Sequence, residues 1–173
     1  ALDNKKRDFI VSKINKLNSP VCFEWGCGFS TKFFLDNCPN IKKWISIENS
    51  LEWFNYLNQK IRDDKLLIKY IPPIIAKRKE EWWKIENEKP RELIKYFYEY
   101  VNSISEYKPD FVFIDGRARL QCMEVAFNFL NKDGVIIMDD AHRIYRNPEE
   151  WKSILKKFKI YKLCKKMYSF KKI

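Results

Sequence analysis

Four acidic residues each close a short apolar run, and a glycine bend sits beside the first of them. Val21-Cys-Phe-Glu-Trp-Gly-Cys-Gly-Phe-Ser30 reads as a buried strand closed by Glu24, a tight turn, and the start of a helix. Gly26 and Gly28 let the backbone turn sharply and bring N–H groups close to a ligand. Ser30 and Thr31 suit the N-cap of a helix running through Lys32, Phe33, Phe34 and Leu35. A strand, glycine turn and helix N-terminus in this order bind the polar part of a nucleotide-like cofactor. Thr31 stands where the dinucleotide fingerprint has its third glycine, which counts against a pyrophosphate ligand. Trp44-Ile-Ser-Ile-Glu48 is a second apolar run ending in an acid, 20 residues after Gly28. A doubly wound sheet places there the carboxylate that grips ribose hydroxyls. Phe111–Asp115 and Val135–Asp139 close in the same way, with Asp140 and His142 just beyond. His142 is the one histidine of the chain, and an imidazole suits proton transfer near neutrality. Arg117, Arg119, Arg143, Tyr145 and Arg146 crowd the segments that follow these two runs. Their forked donors could clamp an acidic or hydroxyl-rich molecule, or simply neutralise the carboxylates.

The elements that must position these residues follow from spacing. Phe9, Ile10, Ile14 and Leu17 predict an amphipathic helix over 5–17. A short helix runs to Asn37 after the glycine turn, and Ser50 to Ile61 reads as another, with Leu51, Phe54, Leu57 and Ile61 inward. Leu66 to Ile71 is a third strand, stopped by Pro72-Pro73. Residues 74–90 have no clean period; Trp82 and Trp83 amid charges fit either a surface helix anchored by one tryptophan or a substrate lid. Arg91 to Tyr107 and Leu120 to Leu130 read as helices, and Lys132-Asp-Gly134 turns the chain into the fifth strand, Val135–Met138. A last helix from Pro148 carries Trp151, Ile154, Leu155 and Phe158. Ile160–Cys164 and Met167–Phe170 read as a closing antiparallel pair. This alternation predicts one α/β domain over 1–173, a mainly parallel sheet in three layers with a C-terminal hairpin.

Composition bounds the rest. With 173 residues, 46% hydrophobic and 16% aromatic, the chain can build a packed core. No apolar run reaches the ~20 residues that span a bilayer. The start, Ala-Leu-Asp-Asn-Lys-Lys-Arg, lacks the apolar stretch of a secretory signal. It also lacks an initiator Met, as one domain cut from a larger protein would. Five cysteines without a Cys-x-x-Cys pair read as reduced thiols of a cytoplasmic protein, not as a zinc site. The net charge of +11 is densest after Glu150, where nine lysines and no acids occupy residues 152–173. A solvated lysine face explains this better than nucleic acid, which is left open but not favoured.

The pattern Glu24-x-Gly26-x-Gly28-x-Ser30 with Glu48 resembles the class I S-adenosylmethionine-dependent methyltransferases. Phe111-Val-Phe-Ile-Asp-Gly-Arg117 is similar to that superfamily's fourth motif. Lys132-Asp-Gly-Val-Ile-Ile-Met-Asp-Asp140 is similar to its fifth-strand segment, often Pro-Gly-Gly in other members. The resemblance runs along nearly the whole chain and implies a Rossmann-like methyltransferase fold. In that family the glycine loop holds the methionine part of S-adenosyl-L-methionine and the second-strand acid holds the ribose. Carried over, this implies a cofactor-binding set of Glu24, Gly26, Cys27, Gly28, Ser30, Thr31, Glu48, Asp115 and Gly116. Two departures stand out. The Asn/Asp-Pro-Pro-Tyr/Phe segment of many amino-directed nucleic-acid methyltransferases is absent, and Pro72-Pro73 replaces an adenine-contacting acid after the third strand.

The implied reaction is in-line displacement at the sulfonium methyl, accelerated by positioning and a carboxylate environment. The expected acceptor is a sugar, a glycan or another small hydroxylated molecule. Its hydroxyl needs a general base or a metal ion to lose its proton. In one arrangement Asp115, Asp139 and Asp140 hold Mg²⁺ or another divalent cation. This resembles catechol-type methyltransferases, which carry Asp-Asn where Asp139-Asp140 stand. In the other, His142 or Asp139 is the base without metal; Asp115, Asp139 and His142 form the expected catalytic set. Arg117, Arg143 and Tyr145 are expected to hold the acceptor. Asp-Gly-Arg-Ala-Arg with Asp-Asp-Ala-His-Arg is similar to methyltransferase-like domains found beside glycan-building enzymes. RNA methylation and a non-catalytic binding domain of the same fold are the alternatives. A dehydrogenase is weakest, for want of the third glycine.

Overall fold

Short runs of β-branched and aromatic residues become strands wherever both faces can be covered. The computed structural model describes residues 2–173. Within them lie seven strands: β1 (Val21–Trp25), β2 (Lys43–Glu48), β3 (Leu66–Tyr70), β4 (Phe111–Ile114), β5 (Val135–Asp139), β6 (Phe158–Cys164) and β7 (Met167–Lys172). They form one sheet in the order β3-β2-β1-β4-β5-β7-β6. The first five are mutually parallel, and β7 runs antiparallel between β5 and β6. The predicted mainly parallel sheet with a closing hairpin is therefore observed.

Among the described residues seven α-helices cover the sheet: α1 (Asn4–Ile14), α2 (Phe29–Asn37), α3 (Leu51–Lys60), α4 (Lys79–Glu88), α5 (Ile94–Asn102), α6 (Arg119–Phe129) and α7 (Pro148–Leu155). Alternation along β4 shows how the layers divide. Phe111 and Phe113 pack with Ile10, Ile14 and Phe34 of α1 and α2, whereas Val112 and Ile114 pack with Phe97, Met123 and Trp151 of α5, α6 and α7. A one-residue slip would exchange the two faces, so the register is firmly set.

Some boundaries differ from the sequence expectation. Helix α2 begins at Phe29 with Gly28 at its N-cap, because the Thr31 hydroxyl turns back to Glu24. Residues 79–88 are a helix after all. The helix expected over 91–107 is a 3₁₀ turn, α5 and a second 3₁₀ turn, with a kink at Phe97. Phe158 starts β6 and does not end α7; its ring packs edge-on against Phe127 and Phe170, and tertiary contact overrides helical spacing.

The strand order reverses between β1 and β4, the switch point beside which open α/β sheets bind ligands. Two glycines make that junction possible. Gly26 sits at φ 96°, and a Cβ there would lie 2.7 Å from the Gly116 nitrogen. A Cβ on Gly116 would lie 2.0 Å from the Tyr100 hydroxyl. The tips of β1 and β4 are thus packed backbone to backbone.

Candidate active site

The glycine turn is held from below. Thr31 Oγ1 accepts the Gly28 N–H at 3.2 Å and donates to Glu24 Oε2 at 2.8 Å. The same oxygen accepts from Ser46 Oγ at 2.5 Å and Trp44 Nε1 at 2.9 Å. Across the turn, Trp53 Nε1 donates to the Cys27 carbonyl at 2.7 Å. Glu24 and Thr31, expected to touch the cofactor, are fully buried beneath the turn and anchor it. Burial raises the Glu24 carboxyl to about 7, against the three hydrogen bonds, and the Asp115 charge adds to the rise.

That shift sets a stability prediction. A carboxyl whose folded pKa is raised contributes stability below the unfolded value, near 4, and loses it as pH climbs through 7. Glu24→Gln keeps the shape without the ionisation. Urea denaturation of both proteins should show the wild type losing about 3 kcal/mol more than the variant between pH 4 and 8. Parallel curves would mean that Glu24 does not titrate in that range.

Above the turn lies a cleft of ≈ 460 Å³. Gly26, Cys27, Gly28 and Ser30 form one wall, Glu48, Asn49 and Trp53 a second, and Asp115 with Gly116 a third. Glu48 Oε1 accepts the N–H groups of Asn49 and Ser50 at 2.8 and 2.7 Å, which fixes the carboxylate at the start of α3. Burial pushes its pKa upward, and the backbone N–H groups of Ser50, Asn49 and Cys27 oppose the rise. Asp115 is one-third exposed into this space. Burial raises its carboxyl to about 6; Arg119 opposes this, while Asp139 and Asp140 add to it.

The carboxylates meet the protein's own cations. Lys6 Nζ, from α1, lies 2.6 Å from Asp139 Oδ1. Arg119 Nη2 lies 3.4 Å from Asp115 and 3.8 Å from Asp140, and Arg143 Nη2 lies 3.1 Å from Asp140. Among the described residues no three metal-binding side chains converge. The ligand set expected from Asp115, Asp139 and Asp140 is therefore not gathered here. Lys6 holds Asp139 on the α1 face, and Arg119 bridges the other two with its own charge. These residues do not fit a divalent ion.

No family model matches the chain, and no curated protein matches it in sequence. Solved structures do match. A methyltransferase-like protein from Silicibacter pomeroyi superposes with a TM-score of 0.67 at 15% identity, over 98% of this chain and 86% of that one. Precorrin-6y C5,15-methyltransferase from Geobacter metallireducens gives 0.63 at 14% identity, over 100% and 90%. Human methyltransferase-like protein 13, in complex with S-adenosylhomocysteine, gives 0.63 at 10% identity, over 100% and 83%. The fold is the class I methyltransferase fold.

Within this methyltransferase fold, the remaining expected residues part company. His142 and Tyr145 line a second hollow of ≈ 370 Å³ with Lys162, Cys164, Lys165 and Tyr168. The 3₁₀ turn Ala141–Arg146 carries both of these residues and also Arg143, which faces the glycine cleft. Tyr145 accepts from Lys162 and from the Tyr168 hydroxyl, and these bonds lower its pKa. His142 Nδ1 stands 3.9 Å from Asp140, and burial lowers its pKa, with Arg146 and Arg143 adding to the effect. Neither residue lines the glycine cleft, nor does Asp139.

The residue that spacing did not single out is Glu86. Its carboxylate is buried and receives Arg143 Nη1 at 2.8 Å, Arg119 Nη1 at 3.1 Å and Arg117 Nη1 at 3.3 Å. Trp82, four residues before it, is buried against Tyr96 and Phe97 and pins α4 to the sheet. Lys79 and Trp83 face the cleft. Trp82 anchors the helix, as the first reading of the tryptophan pair expects, and Trp83, half-exposed, lines the wall under Arg146. The signal available in sequence was an acid on the same helical face as an anchoring tryptophan.

Proposed function

We propose that the chain is an S-adenosylmethionine-dependent O-methyltransferase acting on a small hydroxylated acceptor, such as a sugar or glycan, with Asp115 as general base. The observation that carries this reading is one cleft that brings together the glycine turn, Glu48 and Asp115. The residues fit the cofactor. Gly26 and Gly116 bring the backbone of the turn close to the tip of β4 without an intervening Cβ, and Glu48, fixed by the Asn49 and Ser50 N–H groups, lines the same cleft. S-adenosylmethionine bound there supplies an activated methyl group for in-line displacement.

The chain's own groups do the rest. Gly28 and the first turn of α2 present N–H groups to the cofactor's carboxylate, and Glu48 accepts from its ribose hydroxyls. Asp115 takes the proton of the acceptor hydroxyl. With its carboxyl raised to about 6 it is a stronger base than an ordinary aspartate yet mostly ionised at neutral pH. Arg119 orients it. No divalent ion takes part in this scheme. Cys22, Cys27, Cys38 and Cys122 stay buried as free thiols, which supports a reducing, cytoplasmic setting. Among the described residues no helix is long and apolar enough to cross a membrane.

The test is transfer of labelled methyl to a panel of sugars and phenols. Glu48→Ala should weaken S-adenosylmethionine binding about tenfold or more in calorimetry, as lost hydrogen bonds to a charged group predict. Unchanged affinity would reject the ribose assignment. An RNA acceptor is the second reading, favoured by Lys159, Tyr161 and Lys162 exposed on the edge strand β6. Lysines also keep an edge strand from pairing with other chains. A steep fall of RNA affinity with salt would separate the two roles.

A further inference from the structure

The cations lining the cleft are not all taken by the protein's own acids. Arg117 meets Glu86 through Nη1 alone, and its side chain is one-fifth exposed. Lys79, on the facing stretch of α4, pairs with no carboxylate among the described residues. Arg143 is tied to Glu86 and Asp140 but still lines the same space. The cofactor does not account for these donors. It is itself a sulfonium cation, and its carboxylate falls to the glycine turn and the positive end of α2.

We propose that Arg117, with Arg143 and Lys79, forms an oxyanion subsite beside the cofactor, so that the acceptor carries a carboxylate or phosphate near the hydroxyl that is methylated. This rests on the acceptor entering the cleft assigned above. A guanidinium fork matches both groups in two-point geometry, which a lone ammonium cannot do. Glu86 holds the forks in place before any ligand arrives, so little side-chain freedom is lost on binding. Trp83 presents a half-exposed aromatic face on the Lys79 side, a surface on which a sugar ring can stack.

The experiment is calorimetry on the full chain at constant ionic strength, first with S-adenosylhomocysteine, then with that complex saturated. The probes are inorganic phosphate, D-glucuronate, D-glucose as the neutral control, and a short single-stranded RNA. Phosphate or glucuronate should bind at least about tenfold more tightly than glucose. Arg117→Gln should weaken that anion about tenfold, and Arg117→Lys by less, because charge returns without the fork. Phosphate and glucuronate compared with each other identify the group. If S-adenosylhomocysteine binds and neither anion does, or Arg117→Gln changes nothing, the subsite is rejected and the cofactor reading stands. If S-adenosylhomocysteine fails to bind, the cofactor reading falls, and anion binding by the free protein with the same Arg117 dependence would still uphold the subsite. RNA binding far more tightly than either small anion, with the same Arg117 dependence, would overturn the small-acceptor form of the proposal.

Discussion

Asp115→Asn is expected to lower kcat by roughly 10²–10⁴-fold, the usual contribution of a positioned general base. The amide keeps an oxygen for Arg119, which lies 3.4 Å from the carboxylate in the wild type, so the cleft should retain its shape. What disappears is the ability to accept a proton. The pH profile makes the prediction sharper. The base works only when ionised, so wild-type kcat/KM should rise with pH through about 6 and then level off. In the asparagine variant that inflection should vanish together with the rate. S-adenosylhomocysteine binding, measured on the same sample, guards against a trivial loss of fold. If the inflection survives in a slow variant, the titrating group lies elsewhere. His142 would then return as the candidate, despite lining the neighbouring hollow.

The reason Asp115 could be read from sequence while its partners could not lies in range. Phe111-Val-Phe-Ile alternates across a sheet covered on both sides, and that alternation alone places the next residue at the strand tip. Glu48 and the glycine turn are local in the same sense. Lys6 is not: it reaches Asp139 across 133 positions of sequence, and no spacing rule links an N-terminal helix to the fifth strand. Strand tips taken together suggest a metal set, but spacing does not show the cations that other elements bring to them. Strand parity alone puts Asp139 and Asp115 on one side, since Ile137 and Phe113 share the face toward α1 and α2; the ion pair with Lys6 holds Asp139 to α1, whereas Asp115, beyond the end of β4, lines the cleft. His142 and Arg143 are adjacent in sequence, and a 3₁₀ turn sends them to different hollows. Glu86 lay in the one stretch without a clean period, where a buried acid looks like any other surface charge.

Glu86→Ala should be the most destabilising of the substitutions considered, by about 3–5 kcal/mol, because it leaves buried cations without their shared counter-charge. Arg119 is the critical one: its side chain is 6% exposed, so water cannot replace the lost carboxylate. Arg117 and Arg143 are 20% and 14% exposed and would be pushed apart by the same removal. For a chain of 173 residues, each 1 kcal/mol moves the melting temperature by about 2–4 °C, so a fall of roughly 6–20 °C is expected. Glu81, on the exposed side of the same helix and paired with Arg78, provides the contrast. Its alanine variant should melt close to the wild type, as loss of a solvent-screened surface pair predicts. Two further measurements separate electrostatics from packing. Added salt should recover part of the loss in Glu86→Ala, since it screens repulsion among the arginines. Arg117→Gln placed in the Glu86→Ala background should restore stability that the same change does not add to the wild type, a coupling that a double-mutant cycle reads directly. Should Glu86→Ala melt with the wild type, three arginines would be standing together without an anchor. The preorganised cation wall on which acceptor recognition depends would then have no physical basis.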